Sequence, residues 1–242
     1  IVTIEDDEVI DVEACGGTHL SSTSEAEEFV VTGSRKIQDG VIRLEYKAGE
    51  AALNYVNQVR KRVKTLADKL GVEEPDNHRE AQRKLCKIFS VEPGHLEKTI
   101  QKFRDDNDML SHKIRKLEHY LDEDVEIPSL EGETLEKRGR SLFETRKERE
   151  KVLEGLENDI EAYVRSRMDN RVIEEKVPTE NIGLLIQVAQ KLSRNFEASV
   201  TLVGEKGAVS ASYHEDYSAD ENLEKYSDNV QGDEDFAKAF DI

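Results

Sequence analysis

Leu96, Ile100, Phe103, Asn107, Leu110, Ile114, Leu117 and Leu121 stand alternately four and three residues apart without a miss, and nothing else in the 242-residue chain constrains its fold as strongly. An apolar seam kept on a 3.5-residue period must face another helix, so the spacing predicts a coiled-coil helix over about 92–122. Asn107 on that seam costs stability and fixes register. A second run, Leu142, Arg146, Arg149, Leu153, Leu156, Ile160 and Tyr163, repeats the spacing more weakly, with Gly139 and Gly155 interrupting it and two arginines at apolar positions. The simplest arrangement is an antiparallel pair of long helices, about 92–122 and 133–168, turned at Ile127-Pro128-Ser129. The seam closes within one chain or against a second copy.

The flanks read differently. Residues 1–49 carry β-branched and aromatic clusters at Ile1–Ile4, Val9–Ala14, Phe29–Thr32 and Val41–Tyr46, punctuated by Gly33, Asp39-Gly40 and Gly49, which predicts short strands. Leu53, Val56, Val63, Leu66 and Leu70 then predict a helix from Ala51 to Leu70 ending at Gly71, and a second helix follows over about Asn77–Phe89, with Cys86 in its packing face. Beyond Met168 a strand at Arg171–Val177, a helix at Asn181–Phe196 and strands at Ala198–Val203 and Ala208–Tyr213 make a β-α-β-β module. The fold class is therefore α+β, in three regions: strands over 1–49, a helical arm over 50–168, and a small α/β domain with an acidic tail over 169–242.

The net charge is −18, and its distribution matters more than its size. Residues 1–50 hold 4 basic and 12 acidic side chains and residues 214–242 hold 2 and 10, so acid sits at the ends and the middle is near neutral. Two basic clusters stand out there, Arg60, Lys61, Arg62 and Lys64, and Lys137, Arg138 and Arg140. Each is a place for RNA phosphate or a solvated helix face. Only Cys15 and Cys86 are present, which argues against a disulfide framework and for a reducing, cytoplasmic setting. No apolar run is long enough to span a membrane. A phosphate-binding Gly-Lys-Ser/Thr loop, a Gly-x-Gly-x-x-Gly turn and a supported Ser-His-Asp set are all missing, so an adenylating site is not expected in these residues.

Ala14-Cys15-Gly16-Gly17-Thr18-His19 is the stretch with chemistry in it. Two adjacent glycines would cost a helix about 2 kcal/mol, so the motif is expected on a tight loop after a strand. Thiolate sulfur and imidazole nitrogen are donors zinc accepts, and a glycine-flexible backbone lets both turn to one ion. Two donors do not make a site, and no other cysteine or histidine lies within fifty residues. Either the remaining ligands come from elsewhere or the loop is a glycine turn that happens to carry a Cys and a His.

The run Asp11 to Thr23 containing this motif, followed by Ile37-Gln38-Asp39-Gly40-Val41-Ile42-Arg43-Leu44-Glu45, resembles the end of the editing domain of archaeal-type alanyl-tRNA synthetases. Gly16-Gly17-Thr18 favours that family over the threonyl enzymes. Phe89-Ser90-Val91-Glu92-Pro93-Gly94-His95-Leu96-Glu97-Lys98-Thr99 resembles the helical region that follows. The resemblance implies that Cys15 and His19 are two ligands of an editing zinc whose other two come from an upstream His-x-x-x-His, that Gly16, Gly17 and Thr18 form the editing loop, and that Arg43 lies near the editing pocket. It also implies a parent enzyme that joins alanine to tRNA using ATP and magnesium in an N-terminal part, and that hydrolyses mischarged seryl- or glycyl-tRNA(Ala). The expected partners are tRNA(Ala) and a second copy of the chain through the C-terminal helical and globular region, with no DNA and no membrane.

The C-terminal domain of the family carries a glycine-rich run; at the matching Val230 to Phe240 only Gly232 remains, in acidic surroundings that would repel phosphate. Ile1 is not an initiator Met and fifty residues of strand cannot bury a core alone, so the chain is expected to be a piece of a longer protein, inactive by itself. Two other readings stay open, a free-standing alanyl-tRNA editing hydrolase and a non-enzymatic coiled-coil dimerisation module.

Overall fold

The computed structural model describes residues 1–240 and 242. It divides into two compact units, Ile1–Thr65 with Glu74–Gln82, and Leu66–Glu73 with Arg83–Ile242. The α+β class is borne out. The strands are β1 (Val2–Glu5), β2 (Val9–Glu13), β3 (Phe29–Gln38), β4 (Val41–Ala48), β5 (Val172–Lys176), β6 (Ser199–Val203), β7 (Gly207–Ser212), β8 (Val230–Gly232) and β9 (Phe236–Phe240). The α-helices are α1 (Glu50–Leu70), α2 (His78–Phe89), α3 (Leu96–Leu121), α4 (Leu135–Ser166), α5 (Ile182–Phe196) and α6 (Ala219–Glu224).

In the first unit, β1 and β2 form one antiparallel hairpin and β3 and β4 another, the latter turning at Asp39-Gly40 with Gly40 at φ +77°. β3 runs well past the expected Phe29–Thr32 because a bulge between Val31 and Gly33 lets the strand continue to Gln38. Arg79 of α2 donates to the Val31 carbonyl beside that bulge. The register sets Phe29, Val31, Ile42, Leu44 and Tyr46 on one face, with the Phe29 and Tyr46 rings 5.0 Å apart, and all five are exposed. Of the 18 exposed large hydrophobic residues, 14 fall in the first 53, so these hairpins present apolar surface rather than bury it.

In the second unit, α3 and α4 pack along their length, but not in the antiparallel sense the spacing suggests. Phe103 stacks on Phe143 at 5.6 Å, Asp106 pairs with Arg146 at 3.3 Å, and Tyr120 meets Tyr163 at 4.7 Å. Early residues meet early residues and late meet late, so the two helices run parallel. A parallel pair needs a connection as long as the helix it retraces. α3, at 26 residues, is about 39 Å long, and the 13 residues of 122–134, if extended, reach about 43 Å. The segment read as a turn is therefore a return strap laid along α4.

Buried polar groups hold the strap down. Asn107, 1% exposed, donates to the Leu142 carbonyl at 3.1 Å, tying α3 to α4. Arg149 donates to the Asn107 carbonyl at 2.8 Å and, through Nε, to the Pro128 carbonyl at 2.8 Å. Thr145 donates to the Ser129 carbonyl at 3.3 Å, and Arg138 to the carbonyls of Gly132 at 2.9 Å and Leu130 at 3.3 Å. The polar residues that interrupt the two apolar seams thus bond three strands of chain to one another. Arg146 completes the layer, its guanidinium 5.5 Å from the Phe103 ring centroid.

The late ends of α3 and α4 share a core with the terminal module: Ile114, Leu117, Leu121, Leu156, Ile160 and Val164 pack with Leu185, Leu192, Val200 and Leu202. Its sheet has the order β5-β6-β7-β9-β8, with β5 and β6 parallel and every other pair antiparallel. The expected β-α-β-β unit is extended by α6, β8 and β9, which form out of the acidic segment read as a tail. β9 buries Ala237 and Ala239 against β7, and Gly232 is required at φ +147°, where a Cβ would stand 2.2 Å from the Phe236 carbonyl oxygen. The acidic residues serve the turn, Asp233 accepting from the Asp235 and Phe236 amides at 3.1 Å. Asp241 lies outside the described residues.

Replacing Arg149 by Met keeps most of the apolar stem and leaves the Asn107 and Pro128 carbonyls without their donor, so chemical unfolding is expected to show a loss of about 1–3 kcal/mol. Lys151→Met, on the exposed face of the same helix, is expected to stay within about 0.5 kcal/mol of the parent.

Candidate functional site

Cys15, Gly16, Gly17, Thr18 and His19 form an exposed loop after β2, as two adjacent glycines require. The Cys15 sulfur turns back to accept from the Gly17 amide at 3.4 Å. Nothing crowds the glycines: a Cβ on Gly16 would meet no atom within 4 Å, and one on Gly17 only the Cys15 sulfur at 3.5 Å. Among the described residues no group of three or more His, Cys, Asp or Glu side chains stands in metal-binding arrangement. The donor set that these residues offer to zinc is thus two side chains, a soft sulfur and a nitrogen, and is incomplete without donors from another segment.

Arg43 lies on β4 with its cross-strand partner at Arg35 on β3. Like charges directly opposite on a sheet are destabilising unless something negative lies between them, so this pair is a local cation site on an otherwise acidic unit. Arg35 was not legible from sequence, because the bulge at Thr32 shifts the register by one residue and decides which β3 side chain faces Arg43.

The basic clusters separate into held and available side chains. On α1, Arg62 donates to Gln82 at 2.6 Å, and Gln82 is 5% exposed, so that arginine joins α1 to α2. Arg60 lies 3.6 Å from Glu74, which His78 also bonds at 2.6 Å. The His78 hydrogen bond, with Arg60 and Lys64 nearby, holds the Glu74 carboxyl below the usual range. Lys61 and Lys64 are exposed and form no ion pair among the described residues. On α4, Arg138 is bound to the strap, while Lys137 and Arg140 are exposed. They border a cleft of about 550 Å3 that also carries Glu126, Glu131, Glu144 and Glu148, a lining that does not favour a polyanion.

Comparison with known proteins places these features. Residues 1–45 match the family described as "Threonyl and Alanyl tRNA synthetase second additional domain". The alanine–tRNA ligase of Sulfurisphaera tokodaii is 27% identical over 184 residues, 76% of this chain and 18% of that protein. Those of Archaeoglobus fulgidus and Nitrosopumilus maritimus are 37% and 39% identical over 93 and 102 residues, covering 38% and 41% of this chain and 8% and 11% of theirs. The chain therefore spans less than a fifth of the length of these relatives. A crystal structure of RecJ from Thermus thermophilus with Mn2+ aligns over 66% of this chain and 24% of its own, at 17% identity and a TM-score of 0.32, too low to carry an argument. The motif Cys15-Gly16-Gly17-Thr18-His19 falls inside the matched segment: residues 1–45 match the threonyl and alanyl tRNA synthetase second additional domain, and the chain is similar over most of its length to a part of alanine–tRNA ligases.

Proposed function

We propose that this chain serves an alanine–tRNA ligase in the cytoplasm by completing its editing site and holding tRNA(Ala). The observation that carries the proposal is the Cys15 to His19 loop, inside the segment that matches the second additional domain and beside hairpins whose apolar face is exposed. In this reading further strands cover Phe29, Val31, Ile42, Leu44 and Tyr46, and that segment brings the donors that join Cys15 and His19 around zinc. Gly16, Gly17 and Thr18 shape the loop, and Arg43 with Arg35 faces the phosphate of a mischarged seryl- or glycyl-tRNA(Ala) end. ATP and magnesium belong to aminoacylation elsewhere in the enzyme, so residues 1–242 alone neither aminoacylate nor edit.

Lys61 and Lys64 are the better of the basic candidates for tRNA, being exposed and without an ion pair among the described residues, whereas Lys137 and Arg140 border a cleft lined by glutamates. Helix α4 of the same chain covers the Leu96 to Leu121 seam, so a homodimer of the enzyme would use another surface of the helical or globular region.

Two measurements test this. In the alanine–tRNA ligase polypeptide that carries this segment, Cys15→Ala and His19→Ala are each expected to lower bound zinc, read by elemental analysis, and to slow deacylation of seryl-tRNA(Ala) while leaving alanylation intact; unchanged zinc in both variants contradicts the reading. Lys61→Glu with Lys64→Glu is expected to weaken tRNA(Ala) binding and flatten its salt dependence without loss of stability, whereas Arg62→Ala is expected to cost about 1–3 kcal/mol of stability by leaving Gln82 unpaired.

A further inference from the structure

A cleft of about 930 Å3 opens in the second unit where four elements end together: α3, α4 and the parallel strands β5 and β6. Doubly wound parallel sheets receive ligands outside the carboxyl ends of their strands, and in this mixed sheet the one parallel pair, β5 and β6, ends at the cleft. Val177-Pro178, leaving β5, and Gly204-Glu205, leaving β6, both border it. Gly204 is fixed there by packing, since a Cβ would lie 2.7 Å from Leu185 and 2.8 Å from the Thr179 carbonyl.

The lining joins aromatic faces to cations. Tyr120 and Tyr163 stand with ring centroids 4.7 Å apart, and Arg167 donates to the Tyr163 hydroxyl at 2.7 Å with its guanidinium 5.2 Å from the ring centroid. The Tyr120 hydroxyl is buried without a hydrogen-bond partner among the described residues. In a chain of net charge −18, the cleft is bordered by Lys116, Arg167, Lys176 and Lys225 and by the His119 imidazole, with Glu205 its one acidic side chain among the described residues and Ile242 at its edge. Lys116 pairs with Glu205 at 2.7 Å, Arg167 with Glu175 at 3.6 Å and Lys225 with Glu174, which leaves Lys176, whose charge also acts on the Glu174 carboxyl, and the His119 imidazole without an ion pair among the described residues. Aromatic rings bind planar bases by stacking, and cations not already neutralised bind phosphate. A site this local suits one phosphate better than a backbone of many.

We propose that this cleft binds a nucleotide, its base against the Tyr120 and Tyr163 rings and its phosphate at Lys176 and His119. A free mononucleotide and an unpaired nucleotide of an RNA strand offer the same chemistry. The site is remote in sequence from the Cys15 loop and does not depend on the editing reading.

The test titrates the full 242-residue chain with adenosine and uridine 5′-monophosphates, the two nucleosides, inorganic phosphate, and a single-stranded hexaribonucleotide, by calorimetry and by tyrosine fluorescence, which no Trp obscures. The nucleotides are expected to bind at least about tenfold more tightly than nucleoside or phosphate alone. Lys176→Glu with His119→Glu, both at exposed positions, is expected to weaken nucleotide binding by about tenfold or more with unchanged circular dichroism. Tyr163→Leu is expected to do the same by removing the stacking face; if that variant unfolds, the paired charge reversal still decides. A hexaribonucleotide that outbinds the mononucleotides assigns the site to an RNA strand, and the reverse order assigns it to the free nucleotide; both uphold the cleft. No saturation by nucleotide or hexamer at millimolar concentration, equal binding of phosphate or nucleoside alone, or binding untouched by the charge reversal overturns the proposal.

Discussion

Asn107 is the point on which the second unit turns. A buried amide among leucines has to satisfy its own donors and acceptors, and it does so across three pieces of chain: its Nδ2 donates to the Leu142 carbonyl on α4 and the Phe103 carbonyl on α3, and its Oδ1 accepts at 3.4 Å from the Arg149 guanidinium, which goes on to the Pro128 carbonyl of the strap. Each bond contributes about 1 kcal/mol net, but losing a partner leaves a buried group unpaired and costs more. That asymmetry penalises an α3–α4 packing in which Leu142, Arg149 and Pro128 do not all converge on Asn107. Apolar seams alone carry no such directional demand.

The sense of the helix pair has consequences at its far end. Because α3 and α4 run the same way, Tyr120 and Tyr163 finish together, beside the carboxyl ends of β5 and β6. In an antiparallel pair Tyr120 would lie near the start of α4 and no aromatic pair would form there. The terminal module is likewise set by these helix ends, since Ile114, Leu117 and Leu121 share its core. The first unit differs in kind: its hairpins are well paired through their backbones, yet Ile42, Leu44 and Tyr46 remain more than half exposed. Hydrogen bonds without burial do not stabilise a two-stranded sheet on its own, and that contrast underlies the reading of these strands as part of a larger editing sheet.

Much of this was legible in the sequence, and what was missed has definite causes. The periods of α1 to α5 and the turn at Asp39-Gly40 fixed where those elements lie to within a few residues, because apolar spacing reports which face is buried. Spacing does not report direction. The proline in 122–134 reads as a turn, and only the need of Asn107, Arg146 and Arg149 for partners hinted that a third strand of chain ran past them. The alternation Phe236-Ala237-Lys238-Ala239-Phe240 was a strand signal, masked by the acidic turn before it. That the Cys15 to His19 loop lies in a segment of the second additional domain was readable from resemblance, whereas Arg35 opposite Arg43 depends on a bulge that no pattern announces.

The parallel sense of α3 and α4 is the claim on which the strap, the cleft and the placement of the terminal module rest, and pulsed electron spin resonance tests it directly. With Cys15 and Cys86 replaced by Ser, spin labels go at exposed positions Lys102, Glu144 and Ala162. Eighteen residues of helix separate 144 from 162, about 27 Å along α4. The parallel pair requires the 102–144 distance to be the short one and the 102–162 distance to be longer by most of that length; the opposite order would mean that the helices run antiparallel and would remove the shared end at which Tyr120 and Tyr163 meet.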